Sequence, residues 1–184
     1  LNIGGFSNIS FKKEGKRIAF DICPVNIVLN QFAKELGKDF DENGNFARSG
    51  TVNFEMLSLL NSHLFYTLEP PKSLGIEWIR ENIFPILEGE SAENVLATIT
   101  EHAAFQIADI FNKYEIKKVL FTGGGTFNTY LLERIQSKTE TEIVIPAPKL
   151  INFKEALIFA LMGVLRINNE TNVLSSSTGS SQDH

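Results

Sequence analysis

Three consecutive glycines, Gly123, Gly124 and Gly125, stand between a short apolar run and a helix-spaced segment in VLFTGGGTFNTYLLERI, residues 119–135. Glycine loses more conformational freedom on folding than any other residue, so three in a row weaken any regular element that holds them. What they suit is a junction, where a strand ends, the chain turns and a helix begins. With no Cβ projecting, a flat ligand can lie directly on such a backbone. The following helix offers unpaired N–H groups and the positive end of its dipole, with Thr126 and Asn128 as capping residues beside it. A nucleotide fits that surface. Taken alone, a tight connection that packs closely and binds nothing explains the triplet as well.

The flanking pattern extends the constraint. Ser91 to Tyr114 reads as a long helix with Val95, Leu96, Ile99, Ala103, Ile107, Ile110 and Phe111 on one broad face. KKVLF then reads as a strand, Asn128 to Ser137 as a helix, EIVIP as a strand and Phe153 to Asn168 as an apolar helix. This alternation predicts parallel strands with covering helices. The beginning differs, because LNI, FSNISFKK and RIAFDI are three short strands separated by Gly4-Gly5 and by EGK. A meander of three strands followed by αβαβα predicts an α/β chain of ribonuclease-H-like order, a mixed sheet with helices on both faces. Asn26 to Leu36 adds a helix with Leu29, Phe32, Ala33 and Leu36 as its stripe and Gly37 as its stop.

Residues 38–90 read as an irregular insertion, with short helical candidates at Phe54–Ser62 and Gly75–Ile83 and a break at Pro70-Pro71. Residues 1–174 are expected to form one lobe. The tail, 175–184, is polar and is expected to be flexible or to continue as a loop in a longer protein. Leu1 begins inside a strand, which predicts a piece cut at a boundary.

The 184 residues are 43% hydrophobic and 21% charged, enough for one domain or lobe with a real core. A net charge of −5 offers no basic face to nucleic acid. An anionic ligand would therefore need local backbone donors or a metal. Cys23 is the single cysteine, which excludes an internal disulfide and fits a reducing cytoplasm. No apolar run reaches the ~18 residues of a membrane span, and no signal-peptide pattern is present.

A second glycine turn adds weight to the first. Gly4-Gly5 joins two strands in NIGGFSN. Such a turn can present N–H groups to phosphate oxygens, although hairpin turns use glycine for conformational reasons alone. The segments LNIGGFSNISF, AFDICPVNIVLNQF, FDENGNFARSGTV, PPKSLGIEW, VLFTGGGTFNTYLLERI, FKEALIFALMGVLRI and TNVLSSSTGSS follow in the order found in the anhydro-N-acetylmuramic acid kinases. Over essentially its whole length the chain resembles the C-terminal half of those enzymes.

That resemblance implies a two-lobed fold of the sugar-kinase and actin type around an ATP cleft. It implies conversion of 1,6-anhydro-N-acetylmuramic acid, ATP and water into N-acetylmuramic acid 6-phosphate and ADP during cell-wall recycling, with ATP and Mg2+ as cofactors. Gly4, Gly5 and Asn8 are then nucleotide-binding residues at the second phosphate loop. Gly123, Gly124 and Gly125 lie under the adenosine with Asn128 nearby, and Glu77 in KSLGIE reaches the sugar. The catalytic base is expected upstream of Leu1 and no metal-ligating residue is expected in this chain. The expected partners are the sugar, an N-terminal lobe and a second copy in a homodimer, with neither nucleic acid nor membrane. The family usually reads D-T-G-P-(G/A)-N where this chain has Asp21-Ile22-Cys23-Pro24-Val25-Asn26, and Thr where it has Leu74. The larger Cys23 and Val25 put in question how closely a ligand approaches this loop. They motivate the alternative of a non-catalytic binding or dimerisation module. A kinase for another anhydrosugar is the other alternative.

Four features carry bland readings. DFDENGN, residues 39–45, opens like a calcium loop but has Gly50 where the bidentate Glu belongs. His63, His102 and His184 have no metal-ligand spacing, and His102 reads as a polar-face or interface residue. Cys23 reads as a packed thiol, and EGESAEN (88–94) as a solvated loop and helix cap.

Overall fold

The computed structural model describes residues 1–183; His184, the last residue of the tail and one of the three histidines, lies outside the described residues. The chain is a mixed α/β protein. Strand β1 (Asn2–Ile3), β2 (Phe6–Lys13) and β3 (Lys16–Pro24) form an antiparallel sheet in that order. Glu14 and Gly15 both take positive φ at the β2–β3 turn, the conformation that matches strand twist in a two-residue hairpin. Ser7 and Ile9 of β2 point inward while Asn8 and Ser10 lie on the other face, as strand alternation requires. Strands β4 (Lys118–Leu120) and β5 (Glu142–Val144) pair in parallel. A single parallel bridge, Asn2 to Thr122, joins the two sheets.

Helix α1 (Asn26–Glu35) follows β3 and stops at Gly37, whose φ of +77° only glycine adopts readily. Residues 38–90 hold four short helices, α2 (Asn45–Ser49), α3 (Phe54–Asn61), α4 (Ile76–Asn82) and α5 (Phe84–Leu87), together with two 3-10 turns. Helix α6 (Ala92–Lys113) is the centre of the molecule. The apolar residues read as its one broad face are all buried, and so are Thr98, Thr100, His102 and Gln106 on its other sides. The cause is that α1, α2, α3, α7 (Thr129–Gln136) and β3 pack around it.

His102 therefore corrects the sequence reading. It is fully buried, and its Nδ1–H donates to Asn61 Oδ1 at 2.7 Å, an oxygen that also accepts from Gln106. Its Nε2 then accepts from the Tyr66 hydroxyl at 2.8 Å. Burial, with a smaller contribution from His63, lowers its pKa to about 3. A neighbouring polar residue in sequence, Glu101, says nothing about which side of a surrounded helix is wet.

The last long helix, α8 (Pro148–Ile167), is a second correction. It was expected to cover the sheet, yet Ile151 is its one buried residue, and Phe153, Leu157, Phe159, Leu161 and Ile167 are exposed. Lys154 ties its first half to Asn2 Oδ1 and Thr122 Oγ1. An apolar segment demands burial without specifying against what. No helix among the described residues is long and apolar enough to cross a membrane. The tail is a third correction: a short helix, α9 (Ser175–Thr178), packs on β3.

Candidate functional site

The glycine triplet divides its work. Gly123 has a left-handed φ of +86°, and a Cβ there would sit 2.5 Å from the carbonyl oxygen of Ile3. A Cβ on Gly125 would meet the Ile3 side chain, with Ile3 Cβ only 3.0 Å away. These two glycines let the turn press against β1, where Ile3 N–H donates to Thr122 O at 2.7 Å. Gly124 differs, since a Cβ there would have nothing within 4 Å. The middle glycine faces open space. A 3-10 turn over Gly124–Phe127 then leads into α7, and Asn128 Oδ1 accepts the Leu131 N–H at 3.0 Å as its cap.

That open space is a cavity of about 450 Å³. Helix α1 lines it with Asn26, Leu29 and Asn30, the following loop with residues 40–43, and the triplet turn with Gly124, Gly125, Phe127 and Asn128. The loop is held firmly. The buried Asp41 carboxylate accepts N–H groups of Phe46 and Ala47 at 2.8 and 2.9 Å, capping α2. Gly44, at φ +73°, lets the loop touch α7, where a Cβ would come 2.6 Å from Tyr130 Cβ. The carboxylate that imitated a calcium ligand in DFDENGN is a helix cap. Arg48 on α2 pairs with both oxygens of Glu133, and Glu101 on α6 pairs with Arg134 and Lys138, so α7 is anchored from two sides.

A second cavity, of about 520 Å³, is lined by Gly4, Gly5, Asn26, Ile27, Asn30, Gln31 and Lys34. Asn26 and Asn30 line both cavities, so the two adjoin along α1 between the Gly4-Gly5 turn and the triplet, and together they are called the groove. The Gly4-Gly5 turn clasps the start of α1. Gly5 O accepts from Val25 and Ile27 N–H at 2.8 and 3.1 Å, and Gly4 O from Asn26 N–H at 3.3 Å. The Gly4 N–H itself donates to Phe6 O at 3.1 Å. The expectation that this turn offers its amides freely is thus corrected at Gly4, and the cation of Lys34 is the positive group at this end.

Of the predicted residues, Gly4, Gly5, Gly124, Gly125 and Asn128 come together on one groove. Gly123 supports it from beneath. Asn8 does not join them; it pairs in register with Asp21 and lines two other cavities. Glu77 is exposed in the first turn of α4 and lines neither half of the groove. Cys23 and Val25 are both fully buried. Cys23 contacts Ser7 Oγ at 3.2 Å, and burial pushes its thiol up to about 12, against a smaller lowering by that hydrogen bond. Their side chains belong to the core and are not part of the groove lining. Leu74 contributes its backbone N–H to Asp21 Oδ2 at 2.8 Å, a contact that any side chain at 74 permits. The sequence reading missed Phe40, Phe127 and Asn30 on the groove. An aromatic residue two positions beyond a glycine triplet was the available signal for Phe127.

A family model described as anhydro-N-acetylmuramic acid kinase matches residues 1–184. Proteins of that name from Bacillus cereus (strain G9842) and Bacillus thuringiensis (strain Al Hakam) are each 32% identical over 200 residues, covering 98% of this chain and 52% of their own. The chain spans about half the length of these curated relatives. A solved structure, the activator of the 2-hydroxyisocaproyl-CoA dehydratase from Clostridium difficile with bound ADPNP, is 17% identical with a TM-score of 0.46, covering 82% of this chain and 54% of that one.

Proposed function

The chain belongs to the anhydro-N-acetylmuramic acid kinase family, and from that premise we propose that it supplies the nucleotide-binding half of a two-lobed sugar kinase. The groove from Gly4-Gly5 to Gly124 carries this reading, because it joins two glycine turns along one helix. The triphosphate lies toward Gly4, Gly5 and Lys34, the ribose passes Asn26 and Asn30, and the adenosine rests over Gly124 beside Asn128. A ribonuclease-H-like lobe is supported by the parallel bridge from Asn2 of β1 to Thr122, two residues past β4, which links the β1-β2-β3 sheet to the β4-β5 pair.

In the proposed reaction water adds to C1 of 1,6-anhydro-N-acetylmuramic acid, the C1–O6 bond breaks, and O6 takes the γ-phosphoryl group of ATP. The products are N-acetylmuramic acid 6-phosphate and ADP. The water's proton goes to a general base that we assign outside this chain, in the other half of the two-lobed enzyme. Phosphoryl transfer depends mainly on positioning and charge stabilisation. This chain's part is to hold the nucleotide, with the glycines admitting it and Lys34 favouring its charge. Magnesium fits as a passenger on the phosphates, which supply much of its shell; among the described residues no group of three or more carboxylate, histidine or cysteine side chains could hold an ion alone. Glu77 we assign to the sugar side, where a carboxylate holds a hydroxyl or orders a water. The partners in this reading are the sugar, the second lobe and a second copy of the protein.

The test is a coupled ADP-release assay on the full-length protein carrying this lobe, with ATP, Mg2+ and the anhydrosugar. Turnover is expected, and Gly124→Val in the same protein raises the KM for ATP while the fold stays intact. Absence of turnover contradicts the kinase assignment. Wild-type ATP kinetics in Gly124→Val contradict the groove as the nucleotide site.

A further inference from the structure

Two phenyl rings at the rim of the groove lie outside the buried core of the molecule. Phe40 is 59% exposed and Phe127 is 46% exposed, although both line the cavity beside Gly124. Neither belongs to the cluster of buried side chains that makes up the hydrophobic core. Among the described residues, none of the ring contacts involves either of them. Their backbones are nevertheless fixed. Phe127 ends the 3-10 turn, and the next residue both donates its N–H to Gly125 O at 3.1 Å and caps α7. Phe40 precedes Asp41, whose carboxylate is pinned by two amides of α2. Rings presented from rigid backbone, without another ring against them and beside an open glycine, have the form of an unfilled stacking surface. Buried Leu29 lies between α1 and the cavity as an apolar floor.

We infer that Phe40 and Phe127 form the stacking surface for the base of the bound nucleotide. This rests on the reading of the groove as a nucleotide site, and it names the residues that distinguish a nucleotide from a bare polyphosphate. Every base has a π-face, so stacking tolerates the identity of the base. Purines, with the larger face, gain most. The asparagines of the groove are left to hydrogen-bond the ribose and the base edge.

Both rings are exposed, so truncating them leaves the fold intact. ATP and inorganic tripolyphosphate are titrated calorimetrically into the 184-residue chain and into Phe40→Ala, Phe127→Ala, Phe127→Trp and Gly124→Val. Phe40→Ala and Phe127→Ala are each expected to weaken ATP about tenfold, to leave tripolyphosphate unchanged, and Phe127→Trp to bind ATP as the wild type does. Wild-type ATP affinity in both alanine variants, with loss in Gly124→Val, overturns the stacking surface while the groove stands. Equal losses for ATP and tripolyphosphate in the alanine variants also overturn it, since the rings would then shape the groove generally. Wild-type ATP affinity in all of the variants, or no ATP binding by the wild type, overturns the groove and the stacking surface together.

Discussion

At the scale of single residues, three adjacent glycines answer to different demands. Gly123 combines a φ of +86° with the Ile3 carbonyl in its path, whereas Gly124 has neither constraint. Gly123→Ala is therefore expected to cost at least about 2 kcal/mol, from backbone strain and overpacking together. Gly124→Ala is expected to stay within about 0.5 kcal/mol of the wild type. Urea unfolding of the two variants measures the difference, and equal stabilities would contradict the division. His102 makes a second prediction. Its pKa is near 6.5 when unfolded and about 3 in the buried site. A depressed histidine contributes its full stability above pH 6.5 and loses it as pH falls toward 3, because the unfolded chain takes the proton first. From this group alone stability should drop by about 2 kcal/mol between pH 6.5 and pH 5. The slope should flatten in His102→Gln; an unchanged slope in that variant would assign the pH dependence elsewhere. The triplet was legible in sequence as a strand-to-helix junction. The split within it was not, because Ile3 reaches Gly123 and Gly125 from a strand about 120 residues away in the chain.

At the scale of elements, periodicity located the helices and strands well and their surroundings poorly. The segment read as Ser91–Tyr114 is α6 with Ser91 as its cap, accepting the Asn94 N–H. The three N-terminal strands and the β4 and β5 segments also lie where alternation and glycine turns put them. Periodicity reports the wettest face of a helix, and α6 has little wet face left once four helices and β3 surround it. Helix α8 is the opposite case, strongly apolar and largely uncovered. That exposure predicts self-association of the chain, since large exposed apolar patches seek burial. Replacing Leu157 and Phe159 by Glu should shift sedimentation toward the monomer and change stability by no more than about 0.5 kcal/mol. Unfolding of that double variant would mean that α8 packs within its own chain. The tail misled for a related reason. Its serines carry no apolar pattern, and its docking on β3 is a tertiary contact without a local signal.

At the scale of the whole molecule, the sheet and α6 form a platform from which α1, the 40–44 loop and the α7 turn enclose a groove. A chain with a net charge of −5 has no overall field to attract an anion. In the proposed reading a nucleotide is therefore held by shape, by stacking and by Lys34, the cation on the groove lining. One face of a cleft leaves the phosphates largely in water, so ATP is expected to bind this chain weakly. The central claim is that both glycine turns touch one nucleotide, and an amide-resolved NMR titration of the 184-residue chain tests it most directly. Saturating ATP should shift Gly4, Gly5, Asn26, Asn30, Gly124 and Asn128 together, and tripolyphosphate should shift only those near Gly4 and Gly5. Shifts confined to residues outside the groove, or shifts at one glycine turn without the other under ATP, would contradict the account.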